Sequence, residues 1–129
     1  MSKDYTIGIY IRLSMADEDT GSGNKAESDS IGNQRMLINR YLDNHPTLSQ
    51  YPRLEFADDG YTRTNFHRPQ FTAMMEKVRR GEINLICVKD FSRFSRDYIE
   101  TGNYLECTFP FMGVRFISIN DGYDSDDYK

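Results

Sequence analysis

Tyr5-Thr6-Ile7-Gly8-Ile9-Tyr10-Ile11-Arg12-Leu13 reads as the central strand of a parallel sheet, and Tyr10, Arg12 and the following Ser14 make its carboxyl end polar. In an open α/β sheet, ligands gather outside the carboxyl ends of the strands where strand order reverses, so polar groups there carry functional weight. Residues two apart on a strand point to the same face. Arg12 and Ser14 therefore set a cation beside a potential nucleophile, as attack on a phosphate requires.

The rest of the chain alternates helix and strand around this element. Ala16 to Asp29 holds glycines, Asn24 and several acids without periodicity, the composition of a loop. Ser30 suits an N-cap for a helix running to about Asn44, with Ile31, Ile38, Tyr41 and Leu42 on one stripe and His45-Pro46 closing it. Leu54 to Ala57 reads as a second strand that stops at Asp58-Asp59-Gly60, and the next loop carries Arg63 and Arg68. Pro69 fits a first helical position, Phe71, Met74, Met75 and Val78 form a buried stripe, and Gly81 ends that helix.

Ile83 to Val88 is a nearly continuous apolar run, as a parallel strand covered on both faces should be. It breaks at Lys89-Asp90. Phe91-Ser92-Arg93-Phe94-Ser95-Arg96-Asp97 then sets two arginines three apart, able to face one anion. A helix is predicted from Tyr98 to Phe109, with Pro110 and Gly113 marking its end, and Val114 to Ile119 supplies a fourth strand. Beyond Asn120-Asp121-Gly122 lies an acidic tail without a helical stripe. The pattern predicts a three-layer α/β/α fold around a mainly parallel sheet of four to five strands. In the order 2-1-3-4, the ends of strands one and three meet at the crevice.

At that crevice Ser14 would be surrounded by Arg12, Arg68, Arg93 and Arg96, with neither His45 nor His67 placed as a hydrolase base. Arginines around a hydroxyl suit phosphoryl transfer, because they neutralise the non-bridging oxygens and position the phosphorus. No metal or cofactor is expected: Asp58-Asp59 has no third carboxylate to complete an octahedral set. With 129 residues the chain has the size of one domain. Its net charge of -4 argues against a free-standing nucleic-acid module, although the acids concentrate in Asp17 to Asp29 and Asp121 to Asp127 and leave a basic remainder. Cys87 and Cys107 read as small buried hydrophobes, Phe91 and Phe94 as core anchors, and Arg79 and Arg80 as favourable last-turn cations. Without a signal peptide or membrane span, a cytoplasmic location is expected.

Through Tyr10-x-Arg12-x-Ser14, Gln34, Asp58, Arg68 and Ser92-Arg93-x-x-Arg96-Asp97, the chain resembles the serine recombinases, the resolvase and invertase family. The likeness is greatest to the large members of phages and transposable elements, which share the long insert between Ser14 and Ser30. The resemblance implies a catalytic domain in which Ser14 attacks a DNA phosphodiester and forms a 5′-phosphoserine link that religation reverses. By the same match, Arg12, Arg68, Arg93 and Arg96 would bind the scissile phosphate, while Gln34, Asp58 and Tyr10 support the site. Small resolvases carry an aspartate where this chain has Ser92, which makes Asp90 a candidate for part of the general-acid role. The partners implied are double-stranded DNA and further copies of the chain, as a dimer and then a tetramer. The family's long dimerisation helix and DNA-binding domains lie beyond residues 1–129, so this segment is expected not to recombine DNA alone. A non-catalytic receiver-like or flavodoxin-like signalling domain is the alternative built on the same alternation.

Overall fold

The computed structural model describes residues 4–13, 30–58, 68–95 and 97–128. Its sheet has five strands in the order β2-β1-β3-β4-β5: β1 (Ile7–Arg12), β2 (Arg53–Asp58), β3 (Leu85–Val88), β4 (Arg115–Ser118) and β5 (Tyr123–Asp124). The first four pair in parallel and β5 is antiparallel to β4. This is the expected order with one edge strand added. All six residues of β1 are buried because strands flank it on both sides and helices cover both faces.

The period-two alternation of β1 divides the core. Ile7, Ile9 and Ile11 pack with Ile38 and Leu42 of helix α1 (Ile31–Asp43) and with Cys87 and Ile117 of the sheet. Tyr10 faces the other layer, with Phe71, Met74, Met75 and Val78 of helix α2 (Pro69–Arg79), the stripe predicted from the sequence. Gly8 shares that second face, where a Cβ would come within 3.2 Å of Ile83 and 3.3 Å of Met74. Glycine thus lets α2 and the chain entering β3 lie close against the central strand. As expected, Ser30 caps α1 by accepting the Asn33 N–H, Pro69 opens α2, and Gly81 follows α2 at φ 77°.

After β3 comes a single helical turn, α3 (Phe91–Phe94). It is followed by α4 (Tyr98–Asn103), a π-helical segment (Tyr104–Thr108) and α5 (Phe109–Met112). Phe94 is fully buried, with the rings of Phe71, Tyr104, Phe109 and Phe116 around it at centroid distances of 5.1–5.9 Å, all edge-on. Such pairs add about 0.5–1.5 kcal/mol each beyond area burial, so the turn that carries Arg93 is firmly anchored. Phe91 packs against the same cluster, which bears out both phenylalanines as core anchors.

Two expectations are corrected. Pro110 does not end the helix: the Phe109 N–H reaches back five residues to the Tyr104 carbonyl, and this wider turn displaces the carbonyl that a proline ring would strike. The stop comes at Gly113, in the left-handed region at φ 73°. Cys107 is exposed, because the π segment buries none of its side chains, whereas Cys87 is buried as expected and burial pushes its thiol up to about 12. The acidic tail, read only as lacking a helical stripe, forms β5 followed by a 3-10 turn, Ser125–Tyr128.

An ion pair at the sheet edge holds β5 in place. Arg115 grips Asp124 through Nε to Oδ1 at 2.9 Å and Nη2 to Oδ2 at 2.6 Å, and Asp126 lies 3.4 Å from its third nitrogen. Burial alone would raise the Asp124 pKa, but the Arg115 hydrogen bond, the Asp126 amide and the Arg115 charge outweigh it and hold the carboxyl below its usual value. A depressed pKa means stability that is fully present above the unfolded value of about 4 and is lost as pH falls through the folded value. The stability advantage of the native chain over Asp124→Asn should therefore hold above about pH 5 and shrink as pH drops from about 5 to about 2. Parallel thermal-melt curves across that range would remove Asp124 as its source.

Candidate active site

The carboxyl end of β1 is built from the inside outward. Tyr10 is completely buried and its hydroxyl donates to Asp58 Oδ2 at 2.7 Å. Burial, then the hydrogen bond to Asp58 and its charge, push the phenol well above its ordinary value, so Tyr10 serves as a donor and not as an anion. Asp58, itself 4% exposed, also accepts the amides of Gln70 at 3.0 Å and Phe71 at 3.1 Å. Arg68 at the α2 N-cap offers no side-chain cap, so a carboxylate on the neighbouring strand satisfies the first-turn amides instead. Asp58 thereby fixes where α2 begins and where Arg68 emerges.

Arg12 is joined to two other elements. Its carbonyl accepts Gln34 Nε2 from α1 at 3.0 Å and Arg93 Nη1 from α3 at 3.1 Å, while its own Nη2 donates to the Ser92 carbonyl. Arg12 and Arg93 are 5% and 7% exposed. Two buried arginines thus meet at the β1–β3 crevice, each donating to a backbone carbonyl of the other's strand end or turn, and their positive charge there suits an anion. The α3 turn is held from outside: Asp90 Oδ1 accepts the Ser92 hydroxyl at 2.6 Å and the Arg93 amide at 3.1 Å. Asp121 Oδ2 accepts the Phe91 amide at 2.8 Å and the Ser118 hydroxyl at 2.7 Å.

Arg68 approaches the same turn from α2. Its guanidinium carbon lies 3.9 Å above the Phe71 ring centroid, Nη1 donates to the Phe94 carbonyl at 2.6 Å, and Nη2 donates to Glu100 Oε1 at 3.2 Å. Arg12, Arg68 and Arg93 are thus brought together around residues 92–94, with Tyr10, Gln34, Asp58, Asp90 and Ser92 in the supporting contacts described. Ser14, Arg96, Arg63, His67, Asp59 and the Ala16 to Asp29 stretch lie outside the described residues.

Other charged residues are accounted for elsewhere. Arg35 forms a two-pronged exposed pair with Glu55, and Arg79 pairs with Glu76. His45 Nδ1 accepts the amides of Thr47 and Leu48 below α1. Among the described residues no group of His, Cys, Asp or Glu could hold a metal ion, and no helix is long and apolar enough to cross a membrane. Sequence reading passed over Glu100 and Asp121. Asp97-Tyr98-Ile99-Glu100 has the spacing of a capping box, which would turn Glu100 back toward the Asp97 amide. Asp97 does cap Ile99 and Glu100, but Glu100 turns to Arg68 and Ser95 instead. Asp121 meets Ser118 within its own turn, but its bond to the Phe91 amide, thirty residues away, comes only through the fold.

A mainly parallel sheet with arginines gathered at its switch point defines the class, and comparison with known families specifies it. The family described as "Resolvase, N terminal domain" matches residues 7–129, and the chain belongs to that family. Similar folds include the N-terminal catalytic domain of TP901-1 integrase, with a TM-score of 0.69 and 20% identity over 94% of this chain and 82% of that one. A resolvase family site-specific recombinase from Streptococcus pneumoniae has a TM-score of 0.70 and 24% identity, over 95% and 77%. The C-terminal catalytic domain of ISC1926 TnpA, an IS607-like serine recombinase, gives 0.59 and 22%, over 89% and 69%. No curated protein sequence matches the chain.

Proposed function

We propose that this chain is the catalytic domain of a site-specific DNA recombinase that uses Ser14 as its nucleophile. The observation that carries this reading is the burial of Arg12 and Arg93 together at the carboxyl end of β1, tied through the Arg12 carbonyl. Family membership supports it independently. Ser14 follows Arg12 by two residues in the sequence. Its Oγ attacks the phosphorus of a DNA phosphodiester, the P–Oγ bond forms, and the P–O3′ bond breaks. The serine proton passes to a base, and the departing O3′ takes up a proton. The product is a 5′-phosphoserine ester and a free 3′-hydroxyl.

One phosphodiester replaces another, so religation to a new 3′-hydroxyl needs no outside energy source. Arg12, Arg68, Arg93 and Arg96 hold the non-bridging oxygens and offset the charge that grows on them. Tyr10, Gln34 and Asp58 keep those arginines in register. Asp90, with its Ser92 contact, is the candidate to supply the leaving-group proton. Double-stranded DNA is the substrate, and pairing of copies as dimers and tetramers brings the cut ends together for exchange.

The test is to incubate the protein with a library of random-sequence duplex DNA, denature, and recover covalently attached strands. The native protein should yield adducts joined through a 5′ end, and Ser14→Ala should yield none. Adducts of undiminished yield with the alanine variant would sink the assignment.

A further inference from the structure

We infer that Glu100 is a positioning residue that orients Arg68 toward the scissile phosphate; this rests on the proposed phosphate-binding role of Arg68. Three contacts from three directions fix the Arg68 guanidinium: the Phe71 ring beneath it, the Phe94 carbonyl on Nη1 and Glu100 on Nη2. The carboxylate is itself held, because Glu100 Oε1 also accepts the Ser95 hydroxyl at 2.6 Å, and Ser95 is buried. Ser95 in turn accepts the Asp97 amide at 3.0 Å, and Asp97 caps the helix from which Glu100 projects. The arginine side chain is 13% exposed and the Glu100 side chain 39%. Glu100 therefore holds the outer edge of the guanidinium and leaves its remaining N–H groups for an anion. A planar fork gives bidentate recognition only when its plane is set, which is the role these contacts perform.

Two measurements test this. In the DNA-free protein, ¹⁵N spectra of the Arg68 side chain should show slowed rotation about Nε–Cζ in the native chain and in Glu100→Gln, whose amide oxygen still accepts. Faster rotation is expected in Glu100→Ala, which keeps only the Phe94 carbonyl and the Phe71 ring. Unchanged slow rotation in the alanine variant would overturn the inference. In single-turnover cleavage of a duplex recovered from the trapping experiment, Glu100→Ala should be slower by about tenfold with DNA affinity nearly unchanged, and Glu100→Gln should recover most of the rate. Combined with Arg68→Ala, the Glu100→Ala change should add nothing. A native rate for Glu100→Ala, a glutamine variant no faster than alanine, or a full additional loss in the Arg68→Ala background would each contradict it. Should Arg68→Ala alone cleave normally, the phosphate-binding role of Arg68 falls, which is a different failure.

Discussion

Arg93→Lys should cleave DNA more slowly than the native protein by about 10²-fold while remaining folded. The substitution keeps the positive charge and removes the planar fork. In the native site Arg93 Nη1 donates to the Arg12 carbonyl at 3.1 Å, and a planar fork can hold that carbonyl and a phosphate oxygen at once. An ammonium can satisfy the carbonyl or reach toward the anion, but it cannot hold both in the geometry of a rigid fork. The buried Phe94 ring beside it continues to anchor the α3 turn, so the loss should fall on the rate of cleavage and not on the melting temperature. A lysine variant that cleaves at the native rate would show that only charge is needed at this position.

The largest effect on stability should come from Asp58→Ala. It removes a buried carboxylate that accepts three hydrogen bonds and leaves the Tyr10 hydroxyl and two helix amides without it. Unsatisfied buried donors cost about 1–3 kcal/mol each, partly relieved by water, so a loss of about 3 kcal/mol is expected. Tyr10→Phe takes away one of the three bonds and should cost about 1 kcal/mol. Chemical denaturation of the two variants checks both figures. Equal losses would mean that Asp58 acts chiefly through Tyr10 and not as the remote cap of α2.

The two predictions differ in how much of their basis was legible in the sequence. The β1–α1–β2–α2–β3 succession is carried by local signals: Ser30 as a cap, Pro69 as an opening residue, the Phe71, Met74, Met75 and Val78 stripe, and an apolar run into β3. Each depends on near neighbours in the chain, and each is found in the fold. The gathering of Arg12 with Arg93 followed from topology, because an order of 2-1-3-4 makes the ends of strands one and three neighbours. What escaped were features set by partners distant in sequence or by compensation inside a helix. Asp58 as the cap of amides twelve and thirteen residues away, Glu100 against Arg68, and Asp124 against Arg115 need the assembled sheet to be seen. The π segment escaped because Pro110 on its own signals a stop, and only the widened turn before it lets the helix continue.

On the proposed function, Ser14 forms the covalent bond to DNA. The most direct test is mass spectrometry of the trapped adduct after nuclease and protease digestion. A nucleotide attached through its 5′-phosphate to the peptide containing Ser14 is expected, with a free 3′-hydroxyl on the other side of the break. A nucleotide found on Tyr10 or on any other side chain, or a 3′-linked adduct, would contradict it.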